Sequence, residues 1–198
     1  MFVMTVDQRR SRRDIDRVDA VLTELNQKVL VRPFERTAGD ELQGVINGAE
    51  AVVEAALDLI RDGHWSIGIG IGTVREPLPQ ATRAGHGPAF EAARDAVTRA
   101  KNSLAGLAVA GPVAETAARA ETALSLLGIL VSRRSQQGHE AVELMAQGMT
   151  QAEAAARLGV SKQAVSQRLA AASWHVERPA RDLAVHLLEI ADTGGQEE

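Results

Sequence analysis

Residues 149–169, MTQAEAAARLGVSKQAVSQRL, leave the backbone little choice. Gly159 interrupts two helical runs, and glycine is the residue that enters the left-handed conformation without strain. Thr150 stands where it can cap a helix over Gln151–Leu158 by accepting an N–H bond from the opening turn. Ser161 stands in the same relation to a second helix, running from Lys162 through Leu169 and onward. Ala155 falls where the two helices would cross and only a small side chain fits; Leu158, Val160, Val165 and Leu169 supply an apolar wedge between them. The pattern predicts a helix-turn-helix. Its second helix presents Lys162, Gln163, Ser166, Gln167 and Arg168, the side-chain types that reach base edges and phosphates in a major groove. Together with Thr150 and Ser161 they form the candidate DNA-binding set, and double-stranded DNA is the expected partner. The competing reading is an alanine-rich helical hairpin, or a module that docks protein.

The chain has 198 residues, enough for one ordinary domain and a small second one. Aromatic residues are only 3% of it, so the core has to be built from Ala, Val, Leu and Ile. Cysteine is absent, which excludes disulfides, thiolate zinc sites and a catalytic thiol. The five histidines lack ligand spacing and read as surface or packing residues. A net charge of −4 excludes a protein coated in basic groups but allows a local basic patch. The opening MFVMTVDQRRSRR places its apolar run before its arginines, the reverse of a signal peptide. No apolar segment approaches the roughly 20 residues needed to span a bilayer. A cytoplasmic protein without membrane partners is expected.

Taken in order, Phe2–Asp7 reads as a strand ending on a carboxylate, followed by a helix over Asp14–Val29. Val31–Thr37 reads as a second strand, which Pro33 confines to a sheet edge. Ala38-Gly39-Asp40 reads as a hairpin turn into strand Glu41–Ile46, before a helix over Ala49–Arg61. In Trp65–Val74, Ile67, Ile69 and Ile71 face one way and Gly68, Gly70 and Gly72 the other. The order is βαββαβ, that of a ferredoxin-like sheet with helices on one face. A helix over Pro88–Lys101 follows the loop Arg75–Gly87, and Leu104–Ala110 can add a short strand. Pro112 opens a long helix to about Ser135. In it Val113, Ala117, Ala120, Leu124, Leu127 and Val131 repeat at coiled-coil spacing, the seam of either a dimer arm or a helix lying back on the sheet. Gln136-Gln137-Gly138 marks the best boundary. Beyond it come a helix over His139–Gln147, the helix-turn-helix, and a closing helix after Pro179 with Leu183, Leu187 and Ile190 inward. The expected fold class is α+β: a sheet domain over 1–111, a connecting helix over 112–135, an all-α domain over 136–192 and a flexible tail over 193–198.

In such a sheet the third strand runs against the first, so Asp7 comes beside Asp40, with Glu41 next in sequence. Two carboxylates at one sheet edge suit Mg²⁺ ions carrying a nucleoside triphosphate. The arrangement resembles class III nucleotide cyclases and GGDEF-type diguanylate cyclases. Asp7 ends the first strand, as their first metal aspartate does. Ala38-Gly39-Asp40-Glu41-Leu42 looks like the Gly-Asp-Glu-Phe hairpin carrying the second. Gly87-Pro88-Ala89 opens a helix as in the cyclases. There, an asparagine four residues after that glycine and an arginine eight after it stabilise the transition state; here Glu91 holds the first position and Arg94 comes one residue early. A carboxylate where phosphoryl charge develops opposes catalysis. Over most of its length the chain is similar to the SatD family, on Asp7 and its Arg/Ser stretch, TAGDELQG, GIGIG, GPAF and SKQAVSQRL, although the family's apolar pair after the aspartate is replaced by Gln8-Arg9.

The resemblance implies a cyclase-like domain used for dimerisation, with Asp7, Asp40 and Glu41 as a possible metal or nucleotide site and Mg²⁺ entering with a nucleotide if at all. Against this, a Gly-Asp pair is commonly turn chemistry, and the run Arg9, Arg10, Arg12 and Arg13 is commonly a solvated face, although it could hold a phosphate. The expected function is a homodimeric, sequence-specific transcriptional regulator that is not an enzyme. Dimeric helix-turn-helix proteins read half-sites about 34 Å apart, and a nucleotide at the first domain could change that spacing. An active nucleotidyl cyclase governed by its helix-turn-helix, and an adaptor that binds no DNA, remain alternatives.

Overall fold

Strand β1 (Phe2–Gln8) runs through the middle of a five-stranded sheet in the computed structural model, which describes residues 1–28 and 30–194 and, of Arg12, the backbone alone. Its neighbours β3 (Glu41–Ile46) and β4 (Trp65–Ile71) are both antiparallel to it, with Met4 opposite Gly44 on one side and Ile69 on the other. Strand β2 (Arg32–Arg36) pairs antiparallel with β3, and β5 (Leu107–Ala110) runs parallel to β4, so the order is β2-β3-β1-β4-β5. Pro33 does lie on an edge strand. Its carbonyl accepts from Thr82 Oγ1 at 2.6 Å, and Arg32 donates to the carbonyls of Leu78 and Pro79, so the loop after β4 folds back over that edge.

Alternation along the strands divides the interior. Phe2, Met4, Val6, Leu42, Ile46, Ile67, Ile69 and Ile71 enter one large core. Helices α1 (Val18–Leu25), α2 (Ala49–Asp62), α4 (Ala114–Ser132) and α8 (Trp174–Thr193) complete it. Val3 and Val45 belong to a smaller core on the other face, with Ala89, Phe90 and Ala93 of α3 (Pro88–Ala100). The sheet is therefore covered on both faces, which corrects the expectation of helices on one face only. The reason is in β4. A Cβ at Gly68 would stand 2.2 Å from the backbone nitrogen of Val97, and one at Gly70 would stand 2.1 Å from the carbonyl oxygen of Ala89. The glycine face of the strand is the seat of α3, backbone against backbone.

Several elements differ from their sequence outlines for local reasons. The first helix starts at Val18, not Asp14: the Asp14 carboxylate accepts from Ile15 N and Arg17 Nε, and Ile15 points into solvent. Val29, its expected last member, lies outside the described residues, as do 195–198 of the expected tail, while Thr193 still belongs to α8. The boundary tripeptide Gln136-Gln137-Gly138 forms the first turn of α5 (Gln136–Ala146), which is capped by Ser135 and starts three residues before the expected His139. The long helix is not a free arm. Ala117, Ala120, Leu124, Leu127 and Val131 of α4 are buried in the large core, although Val113 is not.

In α8 the inward residues are Ala184, Leu188 and Ala191, whereas Leu183 and Ile190, expected inward, are exposed and Leu187 is half-buried. Alanine-rich α4 is its neighbour, and two helices approach closely only where small side chains meet. Helix α8 also reaches back to the second core. Glu177, buried, receives both Arg134, from the turn between α4 and α5, and Arg181, at 2.7 and 2.9 Å. Burial is the largest influence on the Glu177 carboxyl and would raise its pKa. The hydrogen bonds and charges of the two arginines together outweigh it, and the net shift is downward. No helix among the described residues is long and apolar enough to cross a membrane.

These packing and charge arrangements set two expectations for stability. Gly70→Ala should cost about 3 kcal/mol or more, as overpacking against an immovable backbone; Gly39→Ala, at φ 60° with open space around it, should cost about 1 kcal/mol. Urea unfolding of both variants checks the difference. Because the folded-state pKa of Glu177 lies below its ordinary value of 4.5, its contribution is present above that pH and is lost as pH falls through the folded value. Glu177→Gln should therefore destabilise the protein near neutrality by about 3 kcal/mol, the cost of stranding a buried partner. It should also flatten the loss of stability below pH 4.5 in acid titrations followed by circular dichroism.

Candidate nucleic-acid interface and the cleft beside β1

Three short helices build the second core. Ala141 and Val142 of α5, Ala154 and Ala155 of α6 (Gln151–Leu158), and Val165 and Leu169 of α7 (Lys162–Ala171) are buried together, with Leu158, Val160 and Trp174 around them. Thr150 caps α6 in a reciprocal box: its Oγ1 accepts from Glu153 N at 3.3 Å, and the Glu153 carboxylate accepts from Thr150 N at 2.8 Å. The bonds from the Thr150 backbone, then its hydroxyl, hold the Glu153 pKa below the usual carboxylate range. Gly159 ends α6 at φ 65°, ψ 32°, with Ala155 at the helix crossing, and the Ser161 hydroxyl accepts from Ala164 N at 3.1 Å to start α7. Each of these features is local chemistry, which is why the sequence outlines them to the residue.

The outward side of α7 carries Lys162, Gln163, Ser166 and Gln167, all exposed. Thr150 and Ser161 are exposed too, but their hydroxyls are engaged in capping. Arg168 is half-buried and its guanidinium lies 4.0 Å from Glu140 on α5, so it is drawn towards its own domain. Across 136–173, Arg157, Lys162 and Arg168 are balanced by Glu140, Glu143 and Glu153. The face therefore offers hydrogen-bonding side chains on one helix and not a broad cationic field.

A separate cleft opens at the end of β1. Asp7, Gln8, Arg10, Ser11, Arg13, Asp40 and Lys101 line about 480 Å³. Asp7 and Asp40 meet there because the β1–β3 register sets Asp7 opposite Glu41 and Gln8 N donates to the Asp40 carbonyl at 3.2 Å. Glu41 does not line it; its carboxylate accepts from Thr37 Oγ1 at 2.6 Å. Lys101, at the end of α3, places its ammonium 2.9 Å from Asp7. Three cationic side chains face two carboxylates, and one of those carboxylates is already paired. That balance suits a phosphate-bearing anion better than a bare divalent cation. No cluster of three or more His, Cys, Asp or Glu residues able to hold a metal exists among the described residues. Glu91 and Arg94 lie on the solvent side of α3 and do not line the cleft. The arginine run after Asp7 is a visible sequence signal for the cleft. Lys101, far along the chain, has none.

Residues 141–171 match the family model HTH_3, described as helix-turn-helix. No curated protein and no solved structure matches the chain. The segment from α5 through α7 is a helix-turn-helix of the kind DNA-binding regulators carry.

Removing the α6 cap tests the local account. Thr150→Ala should lower stability by about 1 kcal/mol. The loss should appear in a fluorescence melt reporting on Trp174, which packs against the second core, and hydrogen exchange should place the lost protection in α6.

Proposed function

We propose that the chain is a sequence-specific, DNA-binding transcriptional regulator that acts in the cytoplasm as a homodimer and is not an enzyme. The observation that carries this reading is α7 itself, a helix locked at its start by Ser161 and buried through Val165 and Leu169, with Lys162, Gln163, Ser166 and Gln167 free on its outer side. In a helix-turn-helix that helix enters the major groove by its N-terminal residues. Gln163 pairs with a base edge; Lys162 neutralises a phosphate; Arg168 joins them by exchanging Glu140 for the DNA backbone.

The sheet domain, in the same proposal, is a ferredoxin-like, cyclase-like and SatD-like unit that no longer turns over substrate. Its first four strands support this, since β2-β3-β1-β4 are antiparallel in the order a βαββαβ ferredoxin-like sheet takes. The cleft holding Asp7 and Asp40 supports a retained nucleotide site, with Arg10, Arg13 and Lys101 receiving the phosphates. Mg²⁺ would enter with those phosphates, on Asp7 and Asp40, and would screen their charge. Glu91 and Arg94, exposed on α3, support the absence of turnover. A nucleotide that binds one relative placement of the two helix-turn-helix units better than another shifts DNA affinity by that difference alone.

Binding assays with the selected DNA site separate the roles on α7. Gln163→Ala should cost about 1–3 kcal/mol and relax specificity at one base pair. Lys162→Ala should weaken all sequences alike and reduce the slope of log affinity against log salt by about 1 for each phosphate left without its cation. If both variants bind as wild type, the reading of α7 is wrong. With ATP or GTP and Mg²⁺, saturable binding that Lys101→Glu abolishes is expected, with no cyclic product. A cyclic nucleotide lost in Asp40→Ala would reverse the view of the sheet domain.

A further inference from the structure

Asp7, the carboxylate that ends β1, already has a cation. Lys101 donates to its Oδ2 at 2.9 Å, and the Asp7 side chain is only 18% exposed. Glu41, the next oxygen donor in the register, is turned to Thr37 instead. Asp40 alone is left without an ion pair among the described residues. An Mg²⁺ ion demands six oxygens in near-ideal octahedral geometry and is held by carboxylates. Here Arg10, Arg13 and Lys101 crowd the same two carboxylates and repel it.

The cationic lining continues past the cleft. Two further hollows, of about 440 and 570 Å³, share residues with it, and Arg9 and Arg10 line both. Arg10 lines all three. Its backbone is left-handed, at φ 58°, a conformation that costs energy in a residue with a Cβ. Arg13 N donates to the Arg10 carbonyl at 2.7 Å and ties off the loop. Arg9 is half-buried. Its Nε donates to Ser66 Oγ at 3.3 Å, and a Cβ on Gly106 would run into its guanidinium. No carboxylate pairs with Arg9, Arg10 or Arg13 among the described residues. Asp14, the carboxylate of the larger hollow, is taken by Arg17 at 3.1 Å, with His64 3.4 Å away. Three guanidinium groups so close in the chain repel one another until an anion with several oxygens lies among them, and a phosphoryl chain is such an anion.

We propose that Lys101 holds the place a divalent cation would take at Asp7, and that the cleft binds the phosphoryl chain of a nucleoside polyphosphate without a metal ion. Lys101 neutralises Asp7, which would otherwise repel the anion, and turns its remaining N–H donors to the chain. Arg10 and Arg13 take phosphoryl oxygens in the cleft, and Arg9 takes those that extend into the adjoining hollows. An Mg²⁺ ion riding on the phosphates reaches Asp7 only by displacing the ammonium. The inference rests on the nucleotide reading above and narrows it: the occupancy of the site follows the concentration of the nucleotide and not that of Mg²⁺.

Calorimetry on the full chain tests this with inorganic tripolyphosphate, ATP and GTP, each in EDTA and again in Mg²⁺. Tripolyphosphate and at least one of the nucleotides should bind in EDTA no less tightly than in Mg²⁺. Lys101→Ala should weaken binding in EDTA about tenfold, the loss of one charged contact. The same variant should gain a Mn²⁺ site that wild type lacks, read by paramagnetic resonance of the free ion. Lys101→Arg should keep the binding in EDTA and gain no Mn²⁺ site. Arg9→Gln, away from Asp40, should weaken binding in EDTA without creating one. The Lys101 variants should melt as wild type, since an exposed ion pair adds little to stability. Nucleotide binding that appears only in Mg²⁺, or that Lys101→Ala leaves unchanged in EDTA, would overturn the metal-free site while leaving the nucleotide reading standing. Tripolyphosphate bound and both nucleotides refused would overturn the nucleoside part. No binding of any of the three in either buffer would remove both readings.

Discussion

No side chain separates α3 from β4. The glycines at 68 and 70 let the helix backbone rest on the strand, and much of the sheet domain is set by that contact. It covers the second face of the sheet, brings the chain back in parallel to add β5, and ends the helix at Ala100 so that Lys101 reaches Asp7. A larger residue on that face would have to displace peptide groups, which cannot swing aside as a side-chain tip can. The cleft at the end of β1 therefore depends on two hydrogen atoms of side chain some distance away. Its cationic balance is a consequence of packing as much as of the arginine run beside it.

The link between the two cores rests on a different kind of interaction. Glu177 is buried with Arg134 and Arg181 upon it, and the attraction has to exceed a desolvation penalty that is the largest single influence on the carboxyl. One arginine comes from the turn where the sheet domain gives way to α5, and the carboxylate comes from the helix that returns to α4. A buried ion pair is a poor source of net stability but a demanding one in geometry. It holds the helix-turn-helix in one placement relative to the sheet. Helix α8 thus has one face in the large core and its first turn against the small one.

What was legible in the sequence was what local chemistry decides. Thr150, Gly159 and Ser161 act within a few residues of themselves, and the bounds of α6 and the start of α7 followed from them. Alternation gave β1, β3 and β4, and Pro33 gave the edge. Choices between competing partners were not legible. Leu183 and Ile190 are the more apolar candidates for the inside of α8, yet Ala184, Leu188 and Ala191 took it, on the side where the helix packs against alanine-rich α4. The Gln136-Gln137-Gly138 run has the composition of a linker, but Ser135 caps it into a helix and Gly138 fits between Arg134 and Ala172. Arg168 belongs to the set of side chains on α7 expected to meet DNA, and only the folded domain shows Glu140 beside it. In the cleft, Asp7 and Asp40 could be paired from strand order, whereas Lys101 and the turning of Glu41 towards Thr37 depend on tertiary structure.

The central claim is that this chain reads DNA sequence through α7. Its most direct test is selection from a random pool of duplexes by the purified full-length protein. The account predicts enrichment of an inverted repeat whose half-sites lie about one helical turn, roughly 34 Å, or a small multiple of it apart. Recovery of no motif at low salt, where even weak phosphate contacts hold, would contradict it.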